Sequence, residues 1–450
     1  MFDLIVVGAG PGGYEAAAHA GRMGKKVAIV ERRALGGTCL NVGCIPAKAF
    51  LRSAKLVREV REASAYGVQV GEPTVDMPTI VARKDRIVST LVGGVGQLMD
   101  ATGVRVVTGE ARLVARDTVE VNGERLQATN ILIATGSRIA RPPIPGLDSP
   151  EVLDSDSVFS VTELPGSIVI IGGGYIGLEF ASFFNDVGVH VTVVEMLPAI
   201  AAGVDEDISR RLLKALQGAG ITFHLGAKVT EVAVDGVRFT DKTGAEQTIA
   251  CDRVMNAAGR VPAVDGLGLE AIGVDVGPRG VVVGPDGRTN VPGLWACGDV
   301  NGRMMLAHVA TREGIVAVNA MFGRPDRTRY DAIPAVMYTA PEAAMVGRTE
   351  AQLKEAGTAY RKALVPAGVS GRFLIENEHG AGFVKVLVDA RYGQILGVHV
   401  LGDLSSEFIV AAAAMMEAEL PATAAMEVVF PHPTVSEVLR EALVRVGQAE

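Results

Sequence analysis

Short, uninterrupted apolar runs recur along this chain and stop abruptly at glycine. The first is Leu4-Ile5-Val6-Val7. A run that is apolar at every position predicts a strand covered on both faces, as in a parallel sheet. Gly8-Ala9-Gly10-Pro11-Gly12-Gly13 follows, then an alanine-rich stretch that predicts a helix from Tyr14 to about Met23. Val27-Ala28-Ile29-Val30 is the next strand, and Glu31 closes it. The order then repeats. Ile168-Val169-Ile170-Ile171 runs into Gly172-Gly173-Gly174-Tyr175-Ile176-Gly177, and Val191-Thr192-Val193-Val194 ends at Glu195. In both copies the acid stands 23 residues after the first glycine.

Each feature of this unit suits a dinucleotide. Gly8 makes the tight turn, Gly10 admits the pyrophosphate and Gly13 lets helix pack on strand, with Gly172, Gly174 and Gly177 in the same places. The helix N-terminus favours phosphate charge, and Glu31 or Glu195 can accept from a ribose hydroxyl. One such glycine pattern is weak evidence; two, each in strand-turn-helix-strand context, are strong. Glu195 repels a 2′-phosphate, and Met196-Leu197-Pro198 offers no compensating cation, so the second site favours NAD over NADP.

Punctuation divides the chain. Arg141-Pro142-Pro143-Ile144-Pro145-Gly146 reads as a linker, and Gly259-Arg260-Val261-Pro262 as the exit from the second nucleotide fold. The expected division is 1–146 and a return segment 265–331 for the first fold, 147–264 for the second, and 332–450 for a tail. Beyond Asp331 strand patterns (Phe383 to Val388, Ile395 to Leu401) alternate with alanine-rich helices, so the expected class is α/β, two Rossmann-like domains and a C-terminal α+β domain. The 450 residues suit about three domains.

Charge and composition narrow the partners. A net charge of -8 without a Lys/Arg run makes nucleic acid and anionic membrane poor partners. The apolar stretch Phe408 to Met416 is stopped by Glu417, Glu419 and Pro421, too short to span a bilayer, and reads as a buried helix. Its Ala411 to Met416 face suits a subunit interface or a plain core equally. The chain enters a strand directly after Met1-Phe2-Asp3, so no signal or transit peptide is expected. Four cysteines, at 39, 44, 251 and 297, fit a reducing cytoplasm.

Cys39 and Cys44 lie in Gly36-Gly37-Thr38-Cys39-Leu40-Asn41-Val42-Gly43-Cys44-Ile45-Pro46-Ala47-Lys48. A structural staple, a metal half-site and a redox pair are the alternatives. Closing so small a loop gains only about 2 kcal/mol, and no further Cys or His stands close by for a metal. Pro46 suits the first turn of a helix from about Ile45 to Val57. Cys44 then sits at its N-terminus, where the helix dipole favours the reactive thiolate. Redox chemistry is the favoured reading.

The run at 36–48, GGGYIGLE at 172–179, WACGD at 295–299 and His432-Pro433-Thr434-Val435-Ser436-Glu437 together resemble the flavoprotein disulfide reductases. The resemblance covers essentially the whole chain and is nearest to the members that oxidise dihydrolipoamide. It implies FAD in the first fold at Gly8, Gly10, Gly13 and Glu31, with Ala111, Ala134-Thr135-Gly136-Ser137, Asp299 and the segment Met305, Leu306, Ala307 and His308 around it. It implies NAD in the second fold, at Gly172, Gly174, Tyr175, Gly177, Glu195 and Gly259, and a Lys48–Glu179 pair near the flavin ring. Cys39 would meet substrate, Cys44 would face the flavin, and His432, oriented by Glu437, would be the base.

The resemblance also implies a homodimer, because the tail of one subunit completes the other's site. A lipoyl-carrying protein, of a 2-oxoacid dehydrogenase complex or the glycine cleavage system, would bring the substrate. Phe430 stands where such members often carry a second His, and Cys297 replaces an aliphatic residue; Cys297 and Cys251 read as buried small hydrophobes. No cysteine pair closes the C-terminus, against a mercuric reductase, and no basic residues follow Glu195, against a glutathione-type reductase. A flavoprotein serving as sensor or structural subunit is the alternative from another class.

Overall fold

The computed structural model describes residues 1–378 and 380–448. Strand β1 (Phe2–Val7) leads through a glycine turn to helix α1 (Pro11–Arg22) and strand β2 (Val27–Glu31). Two helices follow, the short α2 (Gly37–Val42) and α3 (Cys44–Glu62), then the long α4 (Met77–Ala101). Strands β3 (Arg105–Thr108), β4 (Ala111–Ala115), β5 (Thr118–Val121) and β6 (Glu124–Ile133) complete the first sheet, in the order β3-β2-β1-β6-β5-β4. Leu4 to Val7 are all buried and pair in parallel with Val27–Val30 on one side and Asn130–Ile133 on the other. The strand Leu294–Ala296 returns to pair with β6 at Ile131–Ile133.

The second sheet is parallel throughout. Ser167–Ile171 lies between His190–Glu195 and Arg253–Asn256, and helix α5 (Tyr175–Asp186) follows its glycine turn. The tail is an antiparallel five-stranded sheet containing Phe383–Asp389 and Ile395–Leu401, with helices Ser405–Glu417 and Glu437–Gln448 against it. Ile409, Ala412, Ala413 and Met416 of the first helix join the tail core, whereas Val410 is exposed. The Ala411 to Met416 stretch is thus largely core. No helix among the described residues is long and apolar enough to cross a membrane.

Phe50 fixes the geometry that matters. It stacks on Phe183 of α5 with ring centroids 5.1 Å apart and meets Phe159 edge-on at 5.4 Å. These pairs add to their area burial and lay α3 along α5. The N-terminal end of α3, with Cys44 and Lys48, is thereby held against the second fold.

A second junction is polar. Lys385, with 1% of its side chain exposed, donates to Asp205 at 2.8 Å, Asp207 at 2.9 Å and Glu350 at 2.8 Å. Burial opposes its charge, but the hydrogen bonds outweigh that and raise its pKa. Asp205 and Asp207 belong to the second fold and Lys385 and Glu350 to the tail. Replacing Lys385 by Met leaves the buried Asp205 without its cation, whereas Asp207 keeps Arg210 and Glu350 keeps Lys354 and Lys362, so we expect a loss of about 3–5 kcal/mol, read as a lower unfolding midpoint of the FAD-loaded protein. An unchanged midpoint would remove this junction from any account of stability.

Candidate active site

The two glycine turns match atom for atom. Gly8, at φ +102°, has no room for a side chain: a Cβ there would lie 2.4 Å from the Ala134 carbonyl oxygen, and one on Gly172 equally close to that of Ala257. A Cβ on Gly13 would meet the Gly8 carbonyl at 1.9 Å, and one on Gly177 the Gly172 carbonyl at 2.0 Å. At Gly10 a Cβ would have a single neighbour, at 4.0 Å, and at Gly174 none, and α1 and α5 start there without a side-chain cap. Uncapped amides facing open space at a helix start fit a diphosphate. Each acid braces its own turn: Glu31 accepts from the Ala9 and Arg33 amides at 2.8 Å, and Glu195 from Gly173 at 2.6 Å and Leu197 at 2.7 Å. A ribose hydroxyl would share carboxylates already fixed by backbone.

Around the first fold, Ser137 Oγ donates to Asp299 at 2.6 Å and accepts from Arg260 Nε at 2.8 Å. Thr135 donates to the Ala263 carbonyl, Gly136 (φ +71°) leaves open space, and Ala111 is buried at the start of β4. Glu313 accepts from the Gly298 amide at 2.6 Å and the Asn301 amide group at 2.8 Å, bracing the turn that carries Asp299. Met305 and Leu306 approach the helix Ala307–Met321, and His308 in its first turn contacts the Pro334 carbonyl at 2.8 Å. In the second fold Gly259 (φ +106°) faces open space and the Tyr175 hydroxyl reaches the Met345 sulfur at 3.7 Å. Cys297 is buried beside Gly12 and Cys251 half-buried; burial raises both thiols.

Cys39 lies on α2 and Cys44 opens α3. A hydrogen bond from the Cys39 thiol lowers Cys44 to about 7; burial opposes this and Lys48 assists it. Cys39 moves the other way, raised first by that same bond and then by burial. Of the two thiols, Cys44 is the one whose surroundings favour the thiolate. Lys48 Nζ donates to both oxygens of Glu179, at 3.0 and 2.8 Å, joining α3 to α5.

In the tail, His432 Nδ1 and Glu437 Oε1 are 2.9 Å apart, and Glu437 Oε2 accepts from the Thr434 amide at 2.9 Å. These bonds, the amide's first, lower the carboxyl of Glu437. The buried Ser370 donates to the Thr434 carbonyl at 2.9 Å and braces the loop. The His432 side chain is 79% exposed on this single chain.

A pyridine nucleotide-disulphide oxidoreductase family model matches residues 2–314, and the dimerisation domain of the same family matches 333–443. The chain belongs to this family. A dihydrolipoyl dehydrogenase of Cupriavidus necator is 39% identical over 469 aligned positions, covering 100% of this chain and 99% of that protein. Dihydrolipoyl dehydrogenase 3 of Pseudomonas aeruginosa is 40% identical, covering 98% and 97%. Among solved structures, LpdA from Mycobacterium tuberculosis superposes with a TM-score of 0.90 at 25% identity, covering 98% of this chain and 99% of that one.

Within this family frame, three participants escaped the sequence motifs. Arg260 was legible only as punctuation after Gly259. Glu313 lies mid-helix, and Tyr338, whose backbone N–H donates to Glu179 at 3.0 Å, stands 159 residues from its partner. No local pattern marks either.

Proposed function

We propose that this protein is a dihydrolipoyl dehydrogenase: it oxidises a dihydrolipoyl dithiol to the disulfide and passes two electrons to NAD. FAD and NAD are its cofactors. One observation carries the reading: a thiol pair in which Cys44 is held toward thiolate, beside Lys48–Glu179, where the two dinucleotide folds meet. Whole-chain identity to dihydrolipoyl dehydrogenases supports the substrate.

In the oxidised enzyme Cys39 and Cys44 form a disulfide. His432 takes the proton of one substrate thiol, and the resulting thiolate attacks Cys39 Sγ. The Cys39–Cys44 bond breaks and Cys44 leaves as a thiolate, the form that the nearby Lys48 ammonium favours. The second substrate thiol then loses its proton as its sulfur displaces Cys39 and closes the product disulfide, and the departing Cys39 sulfur takes up that proton. Bound FAD supplies two-electron transfer between this dithiol and the nicotinamide. Glu437 accepts from Nδ1 and leaves Nε2 free as the base.

The matched dimerisation domain, with exposed Val429 close to exposed His432, supports a homodimer in which His432 of one protomer serves the thiol pair of its partner. The substrate arrives on a separate lipoyl-carrying protein, and the cytoplasm is the compartment that suits an unpaired, reactive dithiol. The test is NAD reduction by the FAD-loaded protein with dihydrolipoamide, beside NADP and reduced glutathione. Turnover with dihydrolipoamide and NAD alone is expected. Turnover with another dithiol but not this one would transfer the disulfide chemistry to a different substrate.

A further inference from the structure

The thiol site has a neighbour that neither dinucleotide fold supplies. Tyr338 follows the tail's first strand, Pro334–Met337, and sits half-buried over the end of α3. The Lys48 ammonium lies 4.4 Å from the centroid of its ring. Its backbone N–H donates at 3.0 Å to Glu179 Oε1, an oxygen that also accepts from Lys48 at 3.0 Å. One tail residue thus holds both members of the ion pair, the cation by its ring face and the carboxylate by its amide. Burial, then the charges of Glu342, Glu179, Glu407 and Cys44, keep the phenol protonated.

The groups that bear on Cys44 are Cys39, Lys48 and Glu179. Lys48 favours the thiolate and Glu179 opposes it. Of the two, Lys48 has the larger effect, and its size depends on where the ammonium rests relative to the carboxylate and the sulfur. A cation over an aromatic face is held by the ring quadrupole, and partial desolvation strengthens that hold. The Lys48 side chain is only 34% exposed.

We propose that Tyr338 is a positioning residue of the redox centre, holding the Lys48 ammonium against Glu179 one helical turn along α3 from Cys44, so that the tail controls how readily the reactive thiolate forms. The inference rests on Cys39–Cys44 being the redox pair proposed above. Its test reads thiol titration and not turnover, so failure of the substrate assignment leaves it intact. The FAD-loaded enzyme is reduced anaerobically with excess dithiol, and iodoacetamide labelling of Cys44 is followed by mass spectrometry across pH.

Tyr338→Leu removes the ring and keeps the amide. Its labelling midpoint is expected to rise by about half a pH unit or more, the scale of a partly desolvated cation–π contact. Tyr338→Phe keeps the ring face and is expected to titrate as the parent does. In a Lys48→Met background Tyr338→Leu is expected to add no further shift, because Tyr338 acts through Lys48. Tyr338→Met serves the same purpose as the leucine variant should that one not retain FAD. An unmoved midpoint in the FAD-loaded leucine or methionine variant overturns the proposal. So does an equal shift in Tyr338→Phe, or a full shift persisting without Lys48.

Discussion

Replacing His432 by Gln is expected to lower dihydrolipoamide-driven NAD reduction by about 10²–10⁴-fold, the range a positioned general base supplies. The substrate thiols ionise near pH 8.5 or above, so at neutral pH the attacking thiolate must be made on the enzyme. His432 is placed to make it, because its Nδ1 faces Glu437 at 2.9 Å, which fixes the ring and leaves Nε2 available. The loop is braced by Ser370 and by the Thr434 amide, so the glutamine variant should keep its place without a base. FAD content and NADH oxidation by an artificial one-electron acceptor are expected to stay near parental levels, because neither needs the substrate proton. Raising the pH should recover part of the lost rate, since free substrate thiolate then becomes abundant. Parental turnover at neutral pH in the FAD-loaded variant would remove His432 from the mechanism.

What the sequence reveals here is what lies close together along the chain. The glycine turns were legible because a Cβ at Gly8 or Gly172 would lie 2.4 Å from the carbonyl oxygen of Ala134 or Ala257, and only glycine lacks that atom. The Cys39–Cys44 pair and the His432–Glu437 pair were legible for the same reason, being five residues apart in each case. The helix opening at Cys44 followed from Pro46, but α2, which carries Cys39, did not: it is six residues long and begins at two glycines with positive φ. Long-range partners left no trace. Lys385 reads as one alternating position of a strand, and only the packed structure sets it against Asp205, 180 residues away. The Lys48–Glu179 pair was reached through family resemblance; its separation of 131 residues carries no physical signal in a single sequence.

Cys39→Ser is expected to reduce dihydrolipoamide-driven NAD reduction to assay background, since no disulfide remains for substrate to attack. The variant also separates the two thiols by pH. In the reduced parent, Cys44 titrates near 7, held down by the hydrogen bond it accepts from Cys39 and then by Lys48, against burial and Glu179. A hydroxyl at position 39 can still donate that bond, so alkylation of Cys44 in Cys39→Ser should keep its midpoint near the parental one. Cys39→Ala cannot donate. Loss of a donor to an anion disfavours the anion, so the Cys44 midpoint should rise toward or beyond the ordinary thiol value of about 8.5. At pH 7 the thiolate fraction then falls from about half to about 3% or less, and alkylation slows in proportion. Both variants are therefore inactive toward dihydrolipoamide yet differ more than tenfold, roughly, in Cys44 labelling at neutral pH. Equal labelling of the two would show that the Cys39 side chain does not sustain the thiolate, and would leave Lys48 and the start of α3 to do so.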